Sequence, residues 1–123
     1  MKTVALLSAL LLSSVAAVAQ HKHGDMKGPN GGPMRDVAGV DVELLTSGNT
    51  LTFNLFDEAN KPVSAKGFTG TAVIVFLSDK ETIQLAPSGD YALKGDATKA
   101  IAKGAAITIV LQSPAGKSGQ AKY

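Results

Sequence analysis

Five residues near the start of the chain have side chains that can bind a metal ion. They are His21, His23, Asp25, Met26 and Met34. Imidazole nitrogens and thioether sulfurs suit copper, and two histidines separated by one residue can hold one ion between them when the chain is flexible. The spacing therefore predicts capture of a transition metal, with copper as the first candidate. The alternative is a soluble spacer that binds nothing, because short histidine-containing tracts are compositional signals only.

The place where the chain is cut after export decides how strongly these histidines would chelate. After a cut behind Ala19, the α-amino group of Gln20 lies beside His21. An amine, a deprotonated amide and an imidazole can form a square-planar set for Cu(II). A cut behind Gln20 would make His23 the third residue, which is a stronger chelating arrangement, whereas pyroglutamate formation at Gln20 would block the amine. In each case we expect capture of the metal and not catalysis, since nothing shapes an open coordination position.

Residue combinations that serve catalysis are missing from the rest of the sequence. The chain has no Cys and its two histidines are the pair described above, so neither a Ser-His-Asp nor a Cys-His arrangement can be placed on a folded scaffold. No glycine motif for a dinucleotide or a phosphate is present. Asp41 and Glu43 share one face of a predicted strand, and we interpret them as its solvated outer face and not as an acid–base pair. We therefore expect no enzymatic activity.

The composition and charge of the chain limit the kinds of molecule that it can be expected to bind. Hydrophobic residues make up 45% of the chain and charged residues 18%, which is typical of a globular protein. The formal net charge is +2 and the positive charges do not cluster, so we expect no nucleic-acid partner. Because the chain has no Cys, packing alone must stabilise it even in an oxidising compartment.

Residues 1–19 have the composition of an export signal. Lys2 supplies positive charge, residues 4–12 are apolar, and residues 17–19 read Ala-Val-Ala, which fits the rule of two small residues at a cleavage site. A transmembrane anchor is the alternative, but the apolar stretch is shorter than the roughly 20 residues that a spanning helix needs. We expect cleavage after Ala19, a periplasmic or secreted location, and no membrane insertion after cleavage.

The remaining chain divides into two segments of different character. Residues 20–33 are polar, rich in Gly and Pro and without periodicity, which predicts a flexible tail. Residues 34–123 consist of short apolar runs separated by turn residues, which predicts one β-domain.

Alternation of apolar and polar residues predicts the strands of this domain. In residues 40–44 and 51–55 apolar and polar residues alternate, which predicts two strands paired as a hairpin. Residues 71–77 are continuously apolar and β-branched, which predicts a strand covered on both faces or at the centre of a sandwich. Further strands are predicted around residues 83–85, 91–93, 106–111 and 120–123. Residues 94–104 are interpreted as a loop that places Ile101 in the core. About seven short strands predict a single immunoglobulin-like β-sandwich, with a small barrel as the main alternative.

The order of turns and strands also resembles that of a known group of proteins. The segments that carry the resemblance are residues 28–32 (Gly-Pro-Asn-Gly-Gly), 40–44, 51–57, 61–63, 67–71, 85–87 and 116–123. Over most of residues 28–123 the chain is similar to small bacterial periplasmic proteins, to the sandwich-like domains of periplasmic adaptor subunits of heavy-metal efflux systems, and to YtkA-like proteins. The resemblance implies a periplasmic β-sandwich linked to metal handling. In such relatives the stretch before the Gly-Gly pair often carries histidine, to which His21 and His23 correspond loosely.

Two functions remain open on this basis. The first is a periplasmic metal-binding accessory protein that uses His21 and His23 with help from Asp25, Met26 or Met34. The second is an interaction or structural module without metal, which docks onto another envelope protein through its loops or a sheet edge, because exposed edge strands readily accept an added strand.

Overall fold

The computed structural model describes residues 26–123, which form eight β-strands. The strands are β1 (Met34–Val37), β2 (Val40–Ser47), β3 (Thr50–Phe56), β4 (Thr69–Phe76), β5 (Asp79–Ser88), β6 (Ala92–Asp96), β7 (Ala106–Gln112) and β8 (Ser118–Lys122). The prediction of an all-β domain is therefore confirmed for these residues. The strand that the sequence analysis did not identify is β1, which is only four residues long.

All eight strands belong to one antiparallel sheet in the order β1-β2-β3-β6-β5-β4-β7-β8. β5 joins the two halves of this sheet, because its first part pairs with β4 as far as Leu85 and residues 86–88 pair with β6. The sheet curls until its edge strands, β1 and β8, contact each other. At this contact Nε of Arg35 donates a hydrogen bond of 3.1 Å to the carbonyl oxygen of Lys122. The domain is thus nearly a closed barrel.

The inside of the curled sheet holds one apolar core. In β3 the alternate residues Leu51, Phe53 and Leu55 are fully buried, as expected for a strand with one face towards a core. The other buried members are Val37, Val42, Leu44, Ala65, Phe68, Ala72, Ile74, Ile83, Leu85, Leu93, Ala97, Ile107, Ile109 and Leu111. Burial of a side chain as large as Leu or Phe contributes about 1.5–3 kcal/mol each, so this core is the main source of stability.

Two details of the predicted elements have different outcomes. β4 lies between β5 and β7, but it is not covered on both faces: Ala72 and Ile74 are buried on one face, whereas Val75 on the opposite face is exposed, as is Phe76 at the end of the strand. The continuous apolar run was therefore a misleading signal of burial. The loop that follows β6 does bring Ile101 against the core, as its apolar side chain between two glycines predicted.

Tyr123 closes the sheet at the contact of its two edges. Its hydroxyl donates a hydrogen bond of 2.8 Å to the carbonyl oxygen of Val42, and its ring meets that of Phe53 edge to face at 5.9 Å between centres. The guanidinium of Arg35 lies 5.4 Å from the centre of the same ring, within reach of a cation–π interaction. Burial raises the pKa of Tyr123 above its ordinary value, and the positive charge of Arg35 lowers it by a smaller amount. The phenol therefore keeps the proton that it donates.

Candidate functional site

The segment before β1, which carries the predicted metal ligand Met26, is folded against the sheet. The backbone N–H of Met34 donates a hydrogen bond of 2.9 Å to the carbonyl oxygen of Met26, and Lys27 forms a β-bridge with Pro33. The sequence analysis placed residues 26–33 in the flexible tail, and for this stretch the structure differs. The Gly and Pro residues that suggested a linker form a tight turn that returns the chain to β1.

Glu43 is the group on which this turn closes. One carboxylate oxygen accepts hydrogen bonds from the backbone N–H groups of Asn30 at 2.8 Å and Gly32 at 3.0 Å, and the other accepts one from the Asn30 side-chain amide at 2.8 Å. Glu43 has no exposed surface. The interpretation of Glu43 as part of a solvated face is therefore wrong. A carboxylate can be buried here because three N–H donors replace the water that it loses.

The glycines of the turn allow it to approach the sheet this closely. A Cβ atom on Gly28 would overlap the carboxylate of Glu43, and one on Gly32 would overlap the carbonyl oxygen of Leu44. Gly31 has a φ of 86°, a conformation that glycine adopts without steric cost. The three glycines of this turn are thus explained by close contact with β2 and by one positive φ, and not by flexibility.

Met34 lies on the same outer side of the sheet as Glu43. The two residues are direct partners between β1 and β2, so their side chains project from the same face. Met34 is only 1% exposed although it is not part of the inner core. Residues 26–33 lie over this face through their contacts with Glu43. We refer to Met34, Glu43 and residues 26–33 as the outer cluster.

The five predicted metal ligands have different positions relative to the described part of the chain. His21, His23 and Asp25 lie outside the described residues. Met26 is half-buried and, by the register of the Lys27–Pro33 bridge, stands opposite Met34. The two thioethers are therefore cross-strand neighbours. Among residues 26–123, no three side chains of His, Cys, Asp or Glu are grouped so that they could hold a metal ion.

A polar depression of about 430 Å³ lies at the turn between β1 and β2. Three acidic side chains and one lysine contribute to its lining, namely Asp36, Asp41, Glu58 and Lys117. Asp41 is half-buried at the edge of this depression and is separate from Glu43, which lies under the turn of the outer cluster. The two carboxylates do not form an acid–base pair across a cleft, so a hydrolytic site of that kind has no support here.

The end of the β4–β5 hairpin is a feature that the sequence analysis did not single out. Three successive apolar residues are exposed there: Val75 by 39%, Phe76 by 38% and Leu77 by 85%. We refer to residues 75–77 as the hairpin tip. The signal in the sequence was an apolar run that continues up to the turn residues, which we assigned wholly to a buried strand. A run of exposed apolar residues at a turn is uncommon in a surface that has no partner.

A groove of about 330 Å³ lies beside the hairpin tip. Apolar side chains line it from both walls, including Ile74 and Phe76 on β4 and Ile101 on the loop after β6. The walls are tied together because the carboxylate of Glu81 accepts hydrogen bonds from the backbone N–H and the hydroxyl of Thr98 at 2.9 and 3.2 Å. The groove is at the small end of the range for ligand pockets, which is about 300–1,000 Å³.

Comparisons of the chain with protein-family models, with curated proteins and with solved structures gave no match. In residues 26–123 no helix is long and apolar enough to span a membrane. Function must therefore be inferred from the side chains of the two surface features described above, the outer cluster with the segment leading into it and the hairpin tip with its groove.

Proposed function

We propose that this protein is a periplasmic accessory protein that captures a transition metal, copper first, through residues that lead into the outer cluster. His21 and His23 are the principal ligands, with Asp25 and the thioether of Met26 as additional ones. The role is binding and not catalysis. Imidazole and thioether groups together favour copper over the harder divalent ions, which prefer oxygen.

The observation that carries this proposal is the attachment of Met26 to the sheet. Its carbonyl oxygen accepts the 2.9 Å hydrogen bond from Met34, and its side chain stands opposite that of Met34. His23 precedes Met26 by three residues. Because Met26 is already fixed at one end of this short segment, the segment loses less conformational entropy when it closes around an ion.

The proposal includes export and a finer description of the fold. We propose that residues 1–19 are a signal peptide removed in the periplasm, which would place the histidines next to the new amino terminus. We also propose that the curled sheet is of the immunoglobulin-like sandwich type. The change of partner within β5 supports this, because it divides the strands into β1-β2-β3-β6 and β5-β4-β7-β8.

A copper titration of the exported protein tests the metal proposal. The protein is purified from a periplasmic fraction, its amino terminus is identified by mass spectrometry, and Cu(I) and Cu(II) affinities are measured by competition with chelators. We expect submicromolar binding that is lost in the His21→Ala/His23→Ala variant. The control Lys22→Ala/Lys27→Ala changes two neighbouring side chains that are not copper ligands at neutral pH and should retain the affinity. Equal binding by the wild type and the histidine variant would refute the proposal.

The second candidate is an interaction module without metal that docks onto another envelope protein. The exposed hairpin tip at residues 75–77 favours it. Docking through the sheet edge is less favoured, because the edge strands β1 and β8 face each other. Capture experiments with envelope extract test this candidate. Retention of no specific partner, or retention that survives replacement of the hairpin tip, would count against it.

A further inference from the structure

We infer that the hairpin tip is a self-association site, in which Leu77 of one molecule enters the groove beside the tip of a second copy. This inference is independent of the proposed metal function, since it involves none of the predicted metal ligands. It rests on three properties of the tip and the groove: an unfavourable exposed residue, a preformed apolar groove next to it, and a lining that carries both signs of charge.

Leu77 is an unfavourable choice for its position unless it has a partner. Phe76 pairs with Asp79, so Leu77 and Ser78 are the two central residues of a tight hairpin. Leu77 has a φ of 56°, whereas Ser78 does not have a positive φ. This is the pattern of a turn that normally has Gly at its first central position. A leucine there is strained as well as exposed by 85%. Strained positions of this kind are concentrated at sites of binding or catalysis.

The groove has the size and lining to receive one aliphatic side chain. Its volume of about 330 Å³ is small for a cofactor, and Ile74, Phe76 and Ile101 provide apolar contacts. The hydrogen bonds between Glu81 and Thr98 hold its two walls at a fixed separation. A preformed groove requires little ordering on binding, which favours association.

A second copy fits these features better than other apolar partners do. The projecting Leu77 and the receiving groove lie side by side on one molecule, so a two-fold axis can bring each Leu77 to the other molecule's groove. The lining includes the acidic residues Asp79 and Glu81 as well as the basic residues Lys80 and Lys99. A lining of mixed sign can face its own copy with acidic and basic groups opposed. An anionic lipid surface would meet Asp79 as well as the lysines. The contact is small, so we expect a weak dimer.

Sedimentation equilibrium of the exported protein, from about 10 μM to about 1 mM, measures this association. We expect a reversible monomer–dimer equilibrium that is weakened at least tenfold in Leu77→Gly. Glycine is suited to the positive φ, so this variant should remain folded, which circular dichroism checks. The matched control Val110→Thr replaces another exposed apolar residue, 44% exposed on β7, and should dimerise like the wild type. A wild type that stays monomeric throughout, or a dimer unaffected by Leu77→Gly, would overturn the inference.

A crosslinking experiment identifies the partner surface directly. Because the chain has no Cys, Leu77→Cys and Ala100→Cys each introduce a single thiol, the second one in the lining of the groove. Mixing the two variants under mild oxidation should give mainly the mixed disulfide dimer. Leu77→Cys mixed with Val110→Cys should give much less. Equal yields in the two mixtures, or retention of the wild-type protein but not of Leu77→Gly on anionic vesicles without any dimer, would refute a second copy as the occupant.

Discussion

The two faces of β2 bury side chains of opposite character. Towards the inside, Val42 and Leu44 pack into an apolar core that excludes water by contact. Towards the outside, Glu43 is equally buried, but it is covered by a turn that supplies three hydrogen-bond donors. The difference shows that one strand can be enclosed by two mechanisms, and that residues 26–33, which have the composition of a linker, are part of the folded domain.

The largest effect is expected from the inner face, where Phe53→Ala should destabilise the domain by about 3–5 kcal/mol. The substitution leaves a cavity among fully buried neighbours and removes the edge-to-face contact with Tyr123. Chemical denaturation followed by circular dichroism measures the loss. Residues 26–33 should unfold together with the rest of the domain. Phe53→Leu serves as the control and should cost much less, because it retains most of the apolar volume.

On the outer face, Glu43→Ala should cost about 3 kcal/mol, because it leaves the N–H groups of Asn30 and Gly32 without their acceptor. Here we expect local release of residues 26–33, seen as faster amide hydrogen exchange in this turn than in β3. Glu81→Ala is the matched control, since that carboxylate also accepts two hydrogen bonds, but these bonds are exposed to solvent, and the substitution should cost less than about 1 kcal/mol. If both variants lose the same stability, the distinction between the faces fails.

Gly32→Ala should cost about 2 kcal/mol, because the new methyl group would overlap the carbonyl oxygen of Leu44 and push the turn away from Glu43. Gly48→Ala provides the comparison. Gly48 has a positive φ of 59° with open space around it, so its cost of about 1 kcal/mol comes from the backbone alone. Thermal unfolding of both variants measures the difference. A Gly32 variant as stable as the wild type would show that the turn does not need its close approach.

The smallest effect concerns the closure between β8 and β2. Tyr123→Phe should cost about 1 kcal/mol at neutral pH through loss of the hydrogen bond to Val42. Folding raises the pKa of Tyr123, so the native state holds its proton where the unfolded state loses it. The contribution of Tyr123 to stability should therefore be constant below the ordinary pKa of 10.0 and fall as the pH rises above it.

Urea denaturation between about pH 8 and about pH 11 measures this dependence. The decline above the ordinary pKa should be smaller in Tyr123→Phe. Tyr91→Phe is the control, because Tyr91 is 51% exposed and its replacement should leave the decline unchanged. An identical pH dependence in wild type and Tyr123→Phe would contradict the role given to this phenol.

The inner face could be predicted from the sequence because the evidence for it is local. Leu51, Phe53 and Leu55 alternate with polar residues, and this alternation alone indicates a strand with one buried face. The all-β class followed from the same kind of pattern, and the contribution of Ile101 to the core followed from an apolar residue in a short loop between two glycines.

The outer face could not be predicted in this way. Alternation assigns Glu43 to solvent, and its actual cover comes from Asn30, which lies 13 residues away. No residue near Glu43 in the sequence indicates that contact. The exposure of Val75 and Phe76 was missed for a related reason, because an apolar run indicates burial only when another layer lies over it.

The hydrogen bonds that join the two edges of the sheet have a consequence for how the domain folds. They join Arg35 to Lys122 and Tyr123 to Val42, which are pairs of residues separated by 87 and 81 positions along the chain. The chain loses much conformational entropy before contacts of such long range can form, which places this topology among the slower-folding classes. Until the final strand has emerged, β1 lacks the neighbour that completes it. A newly made chain would thus stay open at this seam until β8 has been synthesised.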